Sequence, residues 1–356
     1  MSILAAMTVL GPIAEDSIGI TLPHEHVLLD TTSWWVKPQD PSKEAIVDKP
    51  VSIEILGDIR RDIFVNKDNM KLNSPELAVD ELRDYRHVGG NTLVDVTSIG
   101  LDRQIGAVQD VSKRSGVNII CATGWYLDNT HPDYVKRKTA EELAEIMVRE
   151  ITIGIENSNA KAGVIGEIGC DDPLTENEKK VLKASGMAQS ETGAPLTMHV
   201  GCWNYVEKRR EIKKADQYLE IIQAGGGDLR KVYLSHMDVT CHDIKYHSRI
   251  IDTYDVVLDY DNFGWEYFSD SFYPGAYEGL SDGDRVRGIA QLVKSGYEKH
   301  LMLSNDVCTK TQLRRFGGYG YSHIVRDILP SLKYLGLSEK QIRTMVVETP
   351  KRIFSF

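Results

Sequence analysis

The sequence predicts an α/β protein built as a (β/α)8 barrel. Eight short runs rich in Val, Ile and Leu alternate with eight amphipathic helical stretches along the 356 residues. The runs do not alternate strictly between polar and apolar residues, which is typical of parallel strands buried on both faces. This number of alternating units fits a closed barrel. The competing open, doubly wound sheet would favour a Gly-rich turn after the first strand, and the sequence has none there.

The predicted elements follow one another at regular intervals. The strands are 18–22, 92–97, 118–123, 162–168, 195–200, 232–236, 255–260 and 300–304. The helices are 75–87, 103–115, 139–155, 176–192, 205–224, 243–254, 282–295 and 321–335. Ser74 before Pro75 is the N-cap pattern of the first helix, and the three glycines at 225–227 end a later one.

Two segments lie outside the repeating units. Residues 1–20 predict an N-terminal β-hairpin around Gly11 and Pro12, placed as a lid on the bottom of the barrel. Residues 30–73 form a long insertion after the first strand, and long loops at the C-terminal mouth of a barrel are usually functional. No linker divides the chain, so we predict that residues 1–356 form a single barrel domain.

Charge and composition restrict the partners. The net charge of −10 repels phosphate backbones and anionic lipid. The apolar run at 3–14 is shorter than the roughly 20 residues of a membrane span, and no basic residue precedes Lys37 as in a signal peptide. Five scattered cysteines form no Cys-x-x-Cys pair. We therefore expect a cytoplasmic protein that binds a small-molecule substrate, with no nucleic-acid or membrane partner.

Polar side chains follow five of the predicted strands, at the point where each strand ends. Strand residues two apart face the same side, so His24 and His26 both point into the barrel mouth while Glu25 points away. The carboxyl ends of barrel strands open onto one face, where barrel enzymes carry out their chemistry. The candidate metal ligands on this face are His24, His26, Glu167, His199, His236 and Asp306.

These six residues predict a metal centre. Imidazole and carboxylate ligands suit zinc, manganese, iron or cobalt. Six ligands are too many for one tetrahedral ion with an open position, but they suit two divalent ions about 3.5–4 Å apart. We therefore predict a binuclear metal-dependent hydrolase with zinc as the first choice of metal. The alternatives are a purely structural role for these polar strand ends, and an inactive barrel that only binds a small ligand.

Several motifs resemble the phosphotriesterase family of the amidohydrolase superfamily. They are His-Glu-His at 24–26, Gly-Glu-Ile-Gly at 166–169, Thr-Met-His at 197–199, Ser-His-Met-Asp at 235–238 and Ser-Asn-Asp at 304–306. The resemblance implies that His24, His26 and Asp306 hold a buried ion, and that His199 and His236 hold a more exposed one. It also implies that Glu167, with a hydroxide, bridges the two ions where founding members use a carboxylated lysine.

The resemblance also bears on the reaction. At the two positions of the family's Asp–His proton relay the chain has Val239 and Asn262, which do not titrate. We therefore favour hydrolysis of a carboxylic ester or lactone by the bridging hydroxide, with Asp306 as the catalytic proton acceptor. An N-acyl amino acid-type amidohydrolase and a phosphotriesterase are the alternatives.

Aromatic residues are concentrated in the predicted mouth loops. All tryptophans follow strand ends, and the loop at 260–277 holds eight aromatic residues, which predicts a pocket for an apolar or flat substrate group. Part of this surface could instead form the interface of a homodimer. Tyr126 lies where family lactonases carry a tyrosine that bonds the scissile carbonyl, and Lys310 would bind an acidic substrate group unless it is simply solvated. The predicted substrate-binding residues are Tyr126, Trp34, Trp125, Trp203, Trp265 and Lys310.

Overall fold

Eight parallel strands form the centre of the molecule. The computed structural model describes residues 4–156, 158–200, 213–268, 270 and 280–356. In those residues the strands are β1 (Ala5–Thr8), β2 (Gly11–Ala14), β3 (Ile20–Glu25), β4 (Leu29–Asp30), β5 (Lys71–Leu72), β6 (Gly90–Asp95), β7 (Asn118–Thr123), β8 (Val164–Ile168), β9 (Leu196–Met198), β10 (Val232–Leu234), β11 (Val257–Tyr260) and β12 (Leu301–Leu303).

The central sheet closes almost completely into the predicted barrel. Its strands are hydrogen-bonded in the order β12-β11-β10-β9-β8-β7-β6-β3, so β12 and β3 stand at the two ends of the order. The seam between them is joined by the hydroxyl of Ser304, which donates to the carbonyl of His24 (2.8 Å), and by the N–H of Asp306, which donates to the same carbonyl (3.2 Å). The fold prediction is therefore confirmed.

Helices surround the barrel and are separated from it by an apolar layer. They are α1 (Leu56–Arg61), α2 (Pro75–His87), α3 (Ile105–Ser115), α4 (Asp133–Arg137), α5 (Ala140–Thr152), α6 (Glu176–Thr192), α7 (Ala215–Ala224), α8 (Ile244–Tyr254), α9 (Asp282–Lys294), α10 (Leu329–Tyr334), α11 (Glu339–Arg343) and α12 (Thr349–Phe354). Ser74 caps α2 as predicted, since its hydroxyl accepts from the N–H of Leu77 (3.2 Å). No helix in the described part of the chain is long and apolar enough to cross a membrane.

The bottom of the barrel is covered by both chain ends. β1 and β2 form an antiparallel hairpin, and Phe356 donates its N–H to the carbonyl of Ala5 (3.2 Å). Side chains from the hairpin and from α12 complete an apolar cluster inside the lower barrel. This cluster contains Ala6, Ile18, Val94, Val96, Ile120, Ala122, Val164, Tyr233, Val257, Met302, Ile353 and Phe354.

The insertion at 30–73 is folded rather than irregular. Its two ends are brought together by β4 and β5, which pair antiparallel. Between them lie a 3-10 helix at Pro41–Ile46, the helix α1 and a small apolar cluster of their own. The insertion packs on the loop after β12, because the backbone N–H of Lys310 donates to the carbonyl of Asn69 (2.8 Å).

Several element boundaries differ from the sequence prediction. Thr8 pairs with Gly11, so the hairpin turns at residues 9–10 and Gly11, with a positive φ of 114°, begins the return strand. α3 starts at Ile105, two residues later than predicted, and Arg103 before it forms an ion pair with Glu150 (2.8 Å). The first eight residues of the predicted helix 205–224 lie outside the described residues.

The predicted helix 321–335 consists of two parts. A π-helical turn at Ile324–Ile328 precedes α10, and a second such turn at Thr344–Glu348 precedes α12. In each case a proline follows closely, Pro330 or Pro350, and its missing N–H removes a regular helical hydrogen bond. The sequence analysis did not include the helices beyond residue 335.

Candidate metal centre

Two of the predicted ligands, His199 and His236, lie directly against a third, Glu167. Its Oε1 atom lies 2.8 Å from Nδ1 of His199 and 3.0 Å from Nε2 of His236. The two imidazole nitrogens are themselves only 2.9 Å apart. All three side chains are buried, and their ligand atoms lie close enough together to surround one ion.

The remaining three predicted ligands form the neighbouring half of the cluster. Nε2 of His24 lies 3.6 Å from Oε1 of Glu167 and 3.6 Å from Oδ1 of Asp306. Nε2 of His26 lies 3.4 Å from the same Asp306 oxygen. Glu167 therefore lies between the two halves, and the structure brings all six predicted ligands together.

Buried hydrogen bonds fix the strand that carries His24 and His26. The carboxylate of Glu25 accepts from Ser304 Oγ, from the N–H of Asn305 and from the N–H of Val307, each at 2.8 Å. Those donors flank Asp306, so Glu25 ties the end of β3 to the loop that presents Asp306. This is the structural consequence of Glu25 pointing away from the mouth while its two neighbours point into it.

Local backbone geometry aims the other ligands. His236 and Asp306 have positive φ values of 60° and 48°, which are sparsely populated for residues with a side chain. Gly166, directly before Glu167, also has a positive φ, and a Cβ atom there would lie 2.0 Å from the carbonyl oxygen of Thr197. Only glycine fits at this position, which explains the glycine of the Gly-Glu-Ile-Gly motif.

The far ring nitrogens of the histidines are also bonded. Nδ1 of His26 lies 2.9 Å from the hydroxyl of Thr97, which in turn donates to Asp95 (2.5 Å). Nδ1 of His24 lies 2.8 Å from the hydroxyl of Ser235. Such bonds fix the tautomer that leaves Nε2 free to bind a metal. His199 differs, because its Nδ1 is the atom that faces Glu167.

The donor set fits divalent metal ions. Nε2 of His24 is buried and has no hydrogen-bond partner among the described residues, although it faces two carboxylates. Buried polar atoms are nearly always bonded, so this atom is placed for a ligand. Mixed imidazole and carboxylate donors are those of zinc and related transition metals.

The electrostatics favour a charged carboxylate at the centre of the cluster. Burial opposes ionisation of Glu167, but the surrounding imidazoles outweigh it and hold the pKa of this carboxyl well below its usual range. Burial, together with the charges of Glu167 and Asp306, raises the pKa of Tyr126 well above that of a free phenol. Tyr126 therefore stays protonated and can donate a hydrogen bond.

Aromatic side chains border the cluster on the His199 side. The Tyr126 ring meets that imidazole edge to face at 5.4 Å, and its hydroxyl lies 3.4 Å from Nδ1 of His199. The Trp34 ring lies 6.0 Å from the same imidazole and stacks on Phe64 at 6.1 Å. On the other side, the half-buried Trp265 donates its indole N–H to the carbonyl of Asp306 (3.1 Å).

Three predicted substrate-binding residues lie elsewhere or are not described. Trp125 is fully buried in the layer between barrel and helices, and its indole N–H donates to the hydroxyl of Tyr134 (3.0 Å). Lys310 forms an ion pair with Asp68 (2.6 Å) and lines a cavity of about 290 Å³ beside α2. Trp203 and the end of the aromatic loop, 271–277, lie outside the described residues.

One acid that was not among the predicted site residues supports two of the ligands. Asp261, just beyond β11, is fully buried and contacts both His236 and His24. The signal was present in the sequence, because Asp259 and Asp261 alternate on a strand that otherwise reads as apolar.

Comparison with known proteins agrees with this description. The model of the phosphotriesterase family matches residues 5–354. The N-acetyltaurine hydrolase of Bos taurus is 35% identical over 350 residues, which cover 98% of this chain and 97% of that protein. A phosphotriesterase-related protein of Nematostella vectensis is 35% identical and covers 99% and 98% of the two chains. The crystal structure of a resiniferatoxin-binding protein from Rhodobacter sphaeroides superposes with a TM-score of 0.92 at 34% identity, covering 98% of this chain and 94% of that one.

A nearly closed β/α barrel with imidazoles and carboxylates at its mouth defines a metal-dependent hydrolase. The chain belongs to the phosphotriesterase family. The family resemblance seen in the sequence motifs is thus confirmed along nearly the whole chain.

Proposed function

We propose that this protein is a binuclear amidohydrolase that cleaves small N-acyl amides. The observation that carries the choice of amides is the 35% identity, over nearly the full length of both chains, to a protein named as an N-acetyltaurine hydrolase. Carboxylic esters and lactones are the second substrate class. They use the same attack on a carbonyl carbon, but they have a better leaving group.

Two overlapping ligand groups support the proposal of two ions. One group consists of His24, His26 and Glu167, and the other of Glu167, His199 and His236. Asp306 stands beside the first group, within 3.4 Å of Nε2 of His26. A shared glutamate suits a pair of ions, because it supplies one negative charge to both. We propose zinc in both positions, and manganese, iron or cobalt fit the same donors.

The bound ions would polarise the substrate carbonyl and lower the pKa of an attacking water molecule. Asp306 is placed to accept the proton of that water, because its carboxylate borders the cluster on the side of His24 and His26. It can then pass the proton to the leaving group. An amine must be protonated as it leaves, so an amide substrate depends strongly on this transfer.

Tyr126 and Trp34 are proposed to bind the acyl part of the substrate. Both rings lie next to His199, at the more exposed half of the cluster. The protonated Tyr126 hydroxyl can donate to the carbonyl oxygen as negative charge develops there. The face formed by Trp34 and Phe64 suits an apolar or flat acyl group.

Phosphotriester hydrolysis is the less favoured reaction. Asn262 lies at one position of the family's proton relay, and its side-chain amide donates to Asp261 (3.1 Å). Val239, at the other position, is an apolar buried residue. Neither side chain can carry a proton away from the cluster.

The proposal is tested with matched substrates and metal analysis on the same preparation. The substrates are an N-acetyl amide, the O-acetyl ester with the same head group, a lactone and a phosphotriester. We expect two metal ions per chain, loss of turnover on chelation and its recovery with Zn²⁺. The N-acetyl amide should have the highest kcat/KM relative to its uncatalysed rate.

Each alternative has its own result in this experiment. If kcat/KM relative to the uncatalysed rate is highest for the ester or lactone, esters and lactones are the substrate class in place of amides. If it is highest for the phosphotriester, the protein is a phosphotriesterase. Fewer than two ions per chain would refute the binuclear centre. Bound metal without turnover on any arm would favour an inactive barrel that binds a small ligand.

A further inference from the structure

Asp261 lies behind the imidazoles of the cluster and was not one of the six predicted ligands. It follows β11 and is fully buried, and its ligand atoms group with His24 and Asp259 rather than with Glu167. Its carboxylate instead lies behind the imidazoles, where it meets the ring nitrogens that face away from the proposed ions.

The contacts of Asp261 with His236 involve both backbone and side chain. Its two carboxylate oxygens accept from the N–H of His236 at 2.9 and 3.0 Å, and Oδ1 lies 2.9 Å from Nδ1 of the same residue. His236 has a left-handed backbone, with φ of 60°, after β10 has ended. The Asp261 carboxylate therefore stabilises the unfavourable backbone conformation of His236 and also fixes the orientation of its imidazole ring.

The same carboxylate reaches the histidine of the other ligand group. Oδ2 of Asp261 lies 3.2 Å from Nδ1 of His24, which also lies 2.8 Å from the hydroxyl of Ser235. His24 forms a group with His26 and Glu167, and His236 forms one with Glu167 and His199, while the two histidines also share a group with Asp306. One side chain thus contacts one imidazole from each half.

We infer that Asp261 is a positioning residue that links the two halves of the metal centre, so that both ions depend on it. This inference rests on the proposed binuclear function. Asp261 accepts a hydrogen bond from Nδ1–H of His236 and places its charge 3.2 Å from Nδ1 of His24, whose own hydrogen bond goes to Ser235. A negative charge behind both rings favours the hydrogen on Nδ1 and leaves both Nε2 atoms free to bind the proposed ions. Glu167 would be shared by the two ions, and Asp261 lies behind two of the histidines that would hold them.

The carboxylate, rather than any polar group, is required for this role. A carboxylate only accepts hydrogen bonds, whereas the amide of asparagine would present an N–H₂ group to at least one imidazole. That Nδ1 would then have to accept, and the ring hydrogen would move to Nε2, where it blocks metal binding. The amide of Asn262 already donates to Asp261 Oδ1 (3.1 Å), which further fixes the carboxylate as the acceptor.

The test compares Asp261→Asn with Thr97→Val. Thr97 supports His26 alone, so its variant should affect one half of the centre only. Zn²⁺-loaded protein is mixed with a coloured chelator, and the release of each ion is followed as a separate kinetic phase. We expect Asp261→Asn to accelerate both phases by about 10–100-fold, and Thr97→Val to accelerate only one.

Further measurements separate positioning from a general loss of fold. Metal-free wild type and Asp261→Asn are compared by thermal unfolding, and their Tm values should differ much less than those of the metal-loaded forms. Asp261→Glu keeps the charge but displaces it, and should accelerate both phases by a smaller factor. This variant serves as the test if Asp261→Asn does not fold.

The inference and the proposed function fail differently. A wild-type protein that releases fewer than two ions refutes the binuclear centre itself. If wild type releases two ions, then acceleration of only one phase, or of neither, in a folded Asp261 variant overturns the linking role and leaves the proposed function standing.

Discussion

The two ends of the barrel interior are built from the same strands but follow different rules. At the bottom, Val257 of β11 and Tyr233 of β10 face an apolar cluster closed by the chain ends. Two and four residues after Val257, Asp259 and Asp261 face the same interior near the mouth. The bottom is stabilised by the burial of apolar surface, and this hydrophobic effect does not depend on the orientation of the side chains. The mouth depends on hydrogen bonds, which require particular donor and acceptor atoms in a defined geometry.

A layer of hydroxyl groups separates the two ends. Thr197 and Ser235 are bonded to each other at 2.8 Å, and Ser304 crosses the barrel seam. These groups are short enough to pack like apolar residues and still bond the histidines above them. The difference between the two ends can therefore be tested by substitutions that remove a polar group at the mouth or side-chain volume from the apolar cluster at the bottom.

The largest effect is expected for Asp306, which borders the cluster and is proposed to accept the proton. Asp306→Asn should lower kcat by about 10²–10⁴-fold, because the amide cannot accept the proton of the attacking water. The loss should be greater for an N-acetyl amide than for the matching activated ester, whose leaving group needs no proton. Steady-state kinetics on both substrates measure this, with the exposed Asp48→Asn as the control. Equal losses on the two substrates would show that Asp306 acts only as a ligand.

A substitution at the bottom should change stability without changing the chemistry. Phe354 is fully buried and meets Tyr233 edge to face at 5.6 Å, so Phe354→Ala should cost about 3–5 kcal/mol in the free energy of unfolding. kcat/KM of the folded protein should stay unchanged. Denaturant unfolding and kinetics under native conditions measure the two quantities. Ile153→Ala, at an exposed apolar residue, is the control, and a large drop in kcat/KM for Phe354→Ala would contradict the separation of the two ends.

The smallest effect is expected at the rim, where ion pairs join the mouth loops. His323 lies 2.7 Å from a carboxylate oxygen of Asp282 and 2.8 Å from one of Asp327, and it stacks on Tyr319. Burial opposes the imidazolium, but the two carboxylates outweigh it and raise the pKa of His323. Arg285 also faces Asp282 (3.3 Å) and pairs more closely with Asp238 (2.6 Å), so the cluster holds two cations and three acids.

The sign of the resulting pH dependence follows from the raised pKa. The stabilisation is complete below the unfolded value of about 6.5 and is lost as pH rises through the higher folded value. His323→Gln should therefore cost about 1–3 kcal/mol at acidic pH and less at alkaline pH. Unfolding free energies of both proteins across that pH range measure the effect. A difference that grows with pH would contradict the assignment.

The positions of the six candidate ligands could be predicted because parallel strands end together. Their identity followed from strand ends alone, without knowledge of any loop. The direction of Trp125 could not be predicted in this way, because the rotamer of a residue just past a strand is decided by what it packs against, here Tyr134. The folded interior of the insertion was missed for a similar reason, since its short elements are stabilised by contacts with one another and with the loop after β12.

The seam between β12 and β3 has a consequence for the motions of the protein. The bonds across it include those from Ser304 and from the backbone of Asp306 to the carbonyl of His24, and those from Ser304, Asn305 and Val307 to the carboxylate of Glu25. Amide hydrogen exchange reports where a fold opens at the lowest free energy, and at this junction hydroxyl and carboxylate bonds replace part of the backbone ladder that joins the other strands. Local opening at this junction would separate His24 from Asp306. Opening of the barrel and exchange of a ligand bound by these two residues would then occur at the same rate.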